Sequence, residues 1–303
     1  MEEIDLGKEI SSTSLKYPVF RGNRSPLITR VERDAPLEPS SFIAFSIHNM
    51  THMDLPWCIE DKIEEIKINN PRIGSLPEIA EIDNVVKRYA NIMQLDTVII
   101  NISKKREFLE GYLDRETGFI RGDITSDSFD ELMARLEITE RDLKGQLGNL
   151  RGKFVIFHTD YDLFWRRATN FSNPYFELRH PYLIHPYMLY DNLLSKLIDD
   201  LDVKGIGSDT YGLESPLHFI HRHIIPNYAK NFYSILKETR LPYRPVLAKL
   251  MLNNKIYIKN LKNIDQISNI YNDDKWAKGV ATIIPFALGN RDANLVRVFF
   301  KGI

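Results

Sequence analysis

The chain lacks almost everything that would place it in a special class. It carries one cysteine in 303 residues, Cys58, so no internal disulfide can form and a reducing compartment is expected. It has no surplus of charge: 40 Lys and Arg stand against 41 Asp and Glu, a formal net charge of -1. Binding a polyanion needs a clustered basic surplus, and no basic run exceeds Lys104-Lys105-Arg106. Nucleic acid is therefore not an expected partner. No apolar run approaches the ~20 residues of a membrane helix. The opening Met1-Glu2-Glu3-Ile4-Asp5 is acidic and has no apolar core, unlike a secretory signal. A cytoplasmic protein with no membrane partner is the expectation. No G-x-G-x-x-G or other Gly-rich phosphate loop follows a strand, and the G-x-S-x-G elbow of serine hydrolases is missing. Nucleotide binding and Ser-His-Asp chemistry are unsupported. There is no internal repeat and no low-complexity stretch.

What remains is a chain of ordinary globular make-up, 43% apolar and 27% charged, long enough for a sizeable core. Short strands joined by turns are expected over 4–32, and a strand over Phe42 to Ile47. A helix is expected from Ser75 with Ile79, Ile82, Val86, Tyr89 and Met93 on its apolar face. A β-branched strand follows at Asp96 to Ile102, then an exposed insertion over 104–125. A helix is expected at 127–136, and another after Thr139, which stands three before Asp142 like a capping-box pair. Phe154 to Phe157 reads as a buried strand delivering His158, Thr159 and Asp160 to its end. The aromatic segment from Tyr161 to Tyr187 suits either a pocket wall or plain core. Leu189, Leu193, Leu194, Leu197, Ile198 and Leu201 mark an amphipathic helix. Strands at Val203 to Gly207, Ile256 to Ile258, Val280 to Ala287 and Leu295 to Phe300 complete the reading, with a helix-like stretch around Tyr228 to Lys237. Strands alternating with helices indicate an α/β class.

One stretch concentrates the chemistry: His48-Asn49-Met50-Thr51-His52-Met53-Asp54-Leu55-Pro56-Trp57-Cys58. It holds two imidazoles, a carboxylate and a thiol within eleven residues, directly after an apolar strand. Two imidazole nitrogens and one anionic oxygen suit Zn²⁺, Mn²⁺ or Fe²⁺ better than Ca²⁺ or Cu⁺. The alternative is a cluster of satisfied polar side chains.

In order, the pieces resemble the metal-dependent cyclase-like hydrolases, a family that includes bacterial kynurenine formamidase and isatin hydrolase. The family mark is H-x-G-T-H-x-D-x-P-x-H, and the stretch from His48 to Cys58 is similar to it. Ile4-Asp5-Leu6 with Tyr17-Pro18-Val19-Phe20 is similar to the family's opening. Phe154 to Asp160 is similar to its strand ending in a basic residue, Thr and Gly. Gly205 to Thr210 is similar to its G-I-D-T strand. Ile283 to Leu288 with Val296-Arg297-Val298 is similar to its closing hairpin. The resemblance implies one swivelling β/β/α domain over residues 1–303, with extra material near 60–75, 104–125 and 225–254. It implies a homo-oligomer, dimer or tetramer, acting on a small-molecule substrate. It implies one divalent transition metal, zinc or manganese, on His48, His52, Asp54 and a later histidine. That histidine falls on His221, with His218 and His223 as rivals. Trp57, His158 and His223 are assigned to substrate binding, and Lys259 and Cys58 to catalysis.

Three departures from the family stand out. Met50 replaces the motif glycine. Cys58 replaces a histidine assigned to proton transfer. Ile256 to Leu261 resembles the segment carrying the family's second carboxylate ligand, yet that position is Lys259. Unit charges about 4 Å apart interact by about 4 kcal/mol at an effective dielectric near 20, so a lysine repels a dication by roughly 8 kcal/mol. A two-metal cluster is not expected beside a charged Lys259. Three arrangements stay open: one metal with the ammonium in place of a second, a neutral Lys259 acting as base, or a metal-free pocket in which Lys259 pairs with Asp54. A surface Lys259 would mean that the register is wrong. The expected activity is hydrolysis of an amide, formamide or lactone of a small aromatic molecule. The alternatives are a cyclase, dehydratase or isomerase with an altered site, or a non-catalytic binding protein.

Overall fold

The computed structural model describes residues 3–7, 27–31, 40–44, 50–55, 90–116, 118, 120–121, 124–143, 145–167, 184–188, 193–210, 212–214, 245–271, 275–286 and 293–303. The strands are β1 (Glu3–Asp5), β2 (Leu27–Val31), β3 (Ser40–Ala44), β4 (His52–Asp54), β5 (Met93–Asn101), β6 (Phe154–His158), β7 (Gly205–Ser208), β8 (Ile256–Lys259), β9 (Trp276–Phe286) and β10 (Ala293–Gly302). β2 and β3 pair with each other as a separate antiparallel ribbon. The circuit β4-β8-β7-β6-β5-β9-β10 returns to β4 and closes a seven-stranded barrel, with β1 added along β10.

β5, β6, β7 and β8 run parallel. Parallel strands are covered on both faces, and every residue of β6, β7 and β8 is buried. Side chains alternate between the two faces of a strand. Met53, Ile99, Phe154, Ile156, Ile256, Ile258, Val298 and Phe300 belong to the cluster that fills the barrel. Val98, Val155, Phe157, Ile206 and Tyr257 face outward, into a second layer with Leu193, Leu197, Val246 and Leu250. β7 approaches β8 closely because Gly205 has no side chain: a Cβ there would overlap the Ile256 carbonyl.

Helix α1 (Lys104–Glu110) lies where an exposed insertion was expected. It has only seven residues, and its charges mask the buried pair Lys105 and Leu109. The Lys105 ammonium donates to the carbonyls of Arg135 (3.0 Å) and Glu137 (2.7 Å). It thus sits at the C-terminal end of α2 (Ser126–Leu136), where a cation complements the helix dipole. α2 is the helix expected at 127–136. Thr125 caps it, its hydroxyl accepting from the Ser128 N–H. Phe129, Leu132, Met133 and Leu136 form its buried stripe.

The expected Thr139–Asp142 pair forms, with Asp142 Oδ2 accepting from the Thr139 N–H at 2.7 Å. It closes a turn rather than opening an α-helix. Gly145 takes a positive φ of 78°, and the chain goes on into a 3-10 turn at Leu147–Leu150. Met93 begins β5 instead of ending a helix; residue 90 is helical, residues 91–92 are not, and the rest of that expected helix lies outside the described residues. α3 (Asp162–Arg167) follows β6. The helix expected from its leucines is described from residue 193 and ends in a π-type turn, Lys196–Asp200.

Helix α4 (Pro245–Leu252) was not anticipated. Val246, Leu247, Ala248, Leu250 and Met251 are all buried, so it is apolar all round and shows no stripe. Pro245 at its start was the available signal. The Glu214 carboxylate accepts from the N–H groups of Val246 and Leu247, at 3.3 and 2.7 Å, which caps it. No helix among the described residues is long and apolar enough to cross a membrane.

Candidate active site

β4 and β8 are antiparallel, with His52 opposite Lys259 and Met53 opposite Ile258. Met53 and Ile258 point into the barrel. His52, Asp54, Tyr257 and Lys259 therefore share the outward face, under the helical layer. All four are buried. Lys259 thus stands beside His52 and is no surface lysine.

The Lys259 ammonium lies 2.5 Å from Asp54 Oδ2 and 4.7 Å from the centre of the Tyr257 ring. A carboxylate and an aromatic face thus hold one cation between them. Asp54 Oδ1 lies 3.4 Å from His52 Nε2. The other ring nitrogen, Nδ1, is 2.7 Å from the Met50 carbonyl. A carbonyl only accepts, so Nδ1 carries the proton there. Such a bond fixes the tautomer and turns the Nε2 lone pair toward a metal in metal-binding histidines.

The ends of the two strands are stitched together. The Asn260 side chain donates to the Met50 carbonyl at 3.1 Å, and the Thr51 hydroxyl donates to the Asn260 carbonyl at 2.7 Å. Asn260 takes a φ of 57° to make this turn, a conformation asparagine tolerates well. Tyr257 Oη accepts from the Leu213 N–H. A Cβ on Gly212 would come within 3.1 Å of Tyr257 Oη and 3.4 Å of Lys259 Cε. The strip from Gly212 to Leu213 therefore runs directly over the lysine.

The donor set tests how many cations fit. His52 Nε2 and Asp54 Oδ1 offer neighbouring lone pairs suited to one divalent ion. Asp54 Oδ2 is occupied by an ammonium, so a second ion bridged by this carboxylate does not fit. Among the described residues no three His, Cys, Asp or Glu side chains converge as a metal site. His48, Trp57, Cys58, His218, His221 and His223 lie outside the described residues.

His158 is placed elsewhere. It ends β6 in phase with Phe154 and Ile156, which face the barrel interior, so it lies on the opposite face of the sheet from Lys259. Its Nε2 is 2.6 Å from Asp160 Oδ1 and its Nδ1 is 2.6 Å from Tyr271 Oη, and it stacks on the Tyr271 ring. Burial opposes its charge, but Asp160, Asp209 and Asp162 outweigh burial and raise its pKa. Asp160 has a φ of 62°, at the place where the resembling strand carries glycine. Asp209, just past β7, accepts from the Thr159 N–H and hydroxyl. Burial, with the Asp162 and Asp160 charges, pushes its pKa up to about 7, against the opposing pull of His158 and Thr159. In the aromatic segment, Tyr161 and Phe164 are buried and meet edge to face, which is core packing.

Tyr257 stands in the segment that resembles a family motif, but no role was read for it there. His185 carried no motif; it stands within a doubled His-Pro-Tyr at 180–182 and 185–187. It is wholly buried, its Nδ1 donates to the Pro186 carbonyl at 2.9 Å, and its Nε2 finds no partner among the described residues. Burial and the nearby Lys259 charge push its pKa down to about 4, against the pull of the Pro186 carbonyl. A buried acceptor left unsatisfied costs about 1–3 kcal/mol.

No family model and no curated protein sequence matches the chain. Solved structures do match. The chain is similar to isatin hydrolase A from Labrenzia aggregata bound to benzyl benzoate, at 18% identity and a TM-score of 0.55, over 99% of this chain and 93% of that one. It is similar to an isatin hydrolase bound to the product analogue thioisatinate, at 15% identity and a TM-score of 0.52, over 99% and 91%. It is also similar to a protein described as a novel cyclase, at 13% identity and a TM-score of 0.55, over 99% and 86%. At these identities the likeness is one of fold, and that fold is the cyclase-like one its ordered motifs led us to expect.

Proposed function

We propose that the protein is an enzyme of the cyclase-like hydrolase type that cleaves an amide, formamide or lactone bond in a small aromatic molecule. The observation that carries this reading is the division of one buried carboxylate: Lys259 on Asp54 Oδ2, His52 Nε2 beside Asp54 Oδ1. Solved relatives named for hydrolysing isatin share the fold and support the reaction class. His48, His52 and Asp54 would hold a single zinc or manganese ion, with His221 as a fourth ligand. Such an ion polarises a carbonyl and lowers the pKa of a bound water.

The chain's own groups supply the rest. The Met50 carbonyl fixes the His52 ring. Tyr257 and Asp54 hold the Lys259 ammonium in place, so that it can donate to an oxygen developing negative charge without reorganising. Cys58 and Lys259 are the candidates for moving the proton. Trp57 and His223 are the candidates for holding the substrate.

Elemental analysis of the purified protein tests this directly. About one transition metal per chain is expected, lost in His52→Ala, with turnover of formanilides or simple lactones abolished by chelator and restored by the ion. Retention of the metal in His52→Ala rejects the site.

The Lys259–Asp54 contact also favours a second reading. With no metal, the pair is a buried acid and base for ring closure, dehydration or isomerisation. Turnover indifferent to chelator, in a metal-free preparation, selects it.

A further inference from the structure

The Met50 carbonyl, on which the His52 ring rests, takes two hydrogen bonds. One comes from His52 Nδ1 at 2.7 Å and the other from the Asn260 side-chain amide at 3.1 Å. All three residues are buried. The ring also has a rival acceptor, because Asp54 Oδ1 lies 3.4 Å from Nε2. A neutral imidazole carries a single N–H. On Nδ1 that proton meets a neutral carbonyl, whereas on Nε2 it would meet a carboxylate. Hydrogen bonds to an ionised acceptor are roughly twice as strong as neutral ones. The carboxylate therefore draws the proton toward Nε2 unless the surroundings favour the carbonyl. A proton on Nε2 would close the lone pair that a metal ion needs.

Two features favour the carbonyl. The Lys259 ammonium rests on Asp54 Oδ2 and offsets the charge of the carboxylate. The Asn260 amide holds the Met50 oxygen from a second side, so this peptide turns away from the ring only by breaking a buried hydrogen bond. Asn260 is itself fixed: its N–H donates to the Thr210 carbonyl at 2.9 Å, and its carbonyl accepts from the Thr51 hydroxyl at 2.7 Å. Its φ of 57° would suit glycine equally well. The turn alone thus gives no reason for an amide here, and the contact with Met50 does. We propose that Asn260 is a positioning residue of this site, its amide holding the Met50 carbonyl on the Nδ1 proton of His52 so that Nε2 stays bare for a metal ion. This inference rests on the reading that His52 is a metal ligand.

The test uses the full-length protein with labelled imidazoles, stripped of metal, in mildly alkaline buffer. Nitrogen NMR reads the His52 tautomer, its signals identified by their loss in His52→Gln. Wild type should carry the proton on Nδ1. Asn260→Gly keeps the turn, Asn260→Asp keeps both turn and size, and each removes the donor. Both should move the proton to Nε2 in a measurable share of molecules. Both should also bind zinc about tenfold to a hundredfold more weakly, read by competition with a chelating dye. Thr51→Val breaks the other side-chain bond across the same junction and should leave the tautomer in place. A proton on Nε2 in wild type overturns the proposal. So does an unmoved tautomer in the Asn260 variants, an equal shift in Thr51→Val, or the unfolding of both Asn260 variants, which would make the residue a structural one alone. The metal reading fails separately. A protein that takes up no zinc, yet moves its His52 proton in the variants, keeps Asn260 as the positioning residue and loses the metal. One that binds zinc through His52 with equal strength in both Asn260 variants keeps the metal and loses this inference.

Discussion

Lys259 and Asp54 meet at 2.5 Å across two antiparallel strands, although the residue directly opposite the lysine is His52. The ammonium leans along β4 toward the carboxylate two residues on, with the Tyr257 ring against it. Both charges are buried, so each depends on the other to be tolerated there.

That dependence predicts the behaviour of the single variants. Lys259→Met takes the balancing cation from the buried Asp54 carboxylate, and should cost about 3–5 kcal/mol of stability. Asp54→Asn strands the ammonium and should cost a similar amount. The double variant should lose far less than the sum, because both charges are gone. Urea unfolding of the four proteins measures the coupling. Simple additivity would show that the pair is not a unit.

A charge reversal asks what the ammonium replaces. Lys259→Glu sets two carboxylates beside His52 with no cation between them. The metal-free variant should be unstable. Zinc or manganese should restore it, and the bound metal should rise from about one per chain toward two. Elemental analysis with melting curves checks this. Unchanged stoichiometry would mean that Lys259 does not stand in for a second ion.

Tyr257→Phe keeps the aromatic face under the ammonium but removes the oxygen that accepts from the Leu213 N–H. A buried N–H left unsatisfied should cost about 1–3 kcal/mol. Hydrogen exchange should rise at Leu213 and along the strip over Lys259, and turnover should fall with it. Unchanged exchange there would show that this bond does not hold the roof.

On the other face of the sheet, Asp209 sets a pH dependence with a definite sign. Its folded pKa is raised to about 7 from an ordinary 3.8, chiefly by burial. The folded protein therefore holds a proton that the unfolded chain has released between these values. Stability from this group is fully present below pH 3.8 and is lost as pH rises through about 7. The raised pKa of His158 acts in the same direction. Asp209→Asn cannot ionise, so the stability difference between wild type and variant should swing against the wild type as pH rises through this window. Denaturation curves across it decide the matter. A constant difference would mean that Asp209 is ionised throughout in the folded protein.

Much of this site was legible in one dimension. The clustering of His52 and Asp54 was read from the sequence as a turn after a strand at Phe42 to Ile47; that they lie on a strand of their own, β4, and so share a face was not. Lys259 was placed by the resemblance of Ile256 to Leu261 to a family segment, and the β4–β8 pairing sets it opposite His52. The strands β5 to β10 were readable from β-branched and apolar runs. α1 and α4 were not, the first too short and charged to show a stripe, the second too apolar to show one.

The residues alone settled the alternation of faces and which polar groups stand at strand ends, because both follow from local backbone geometry. Contacts between distant segments needed the closed barrel. It decided that the ammonium of Lys259 rests on Asp54, that His158 turns to the barrel interior, and that Asp209 is buried among like charges. It also tied the segment after His185 to Leu213, through the Met188 N–H and the Leu213 carbonyl. The physical reason is that strand pairing and closure fix distances between parts of the chain whose separation no local pattern records.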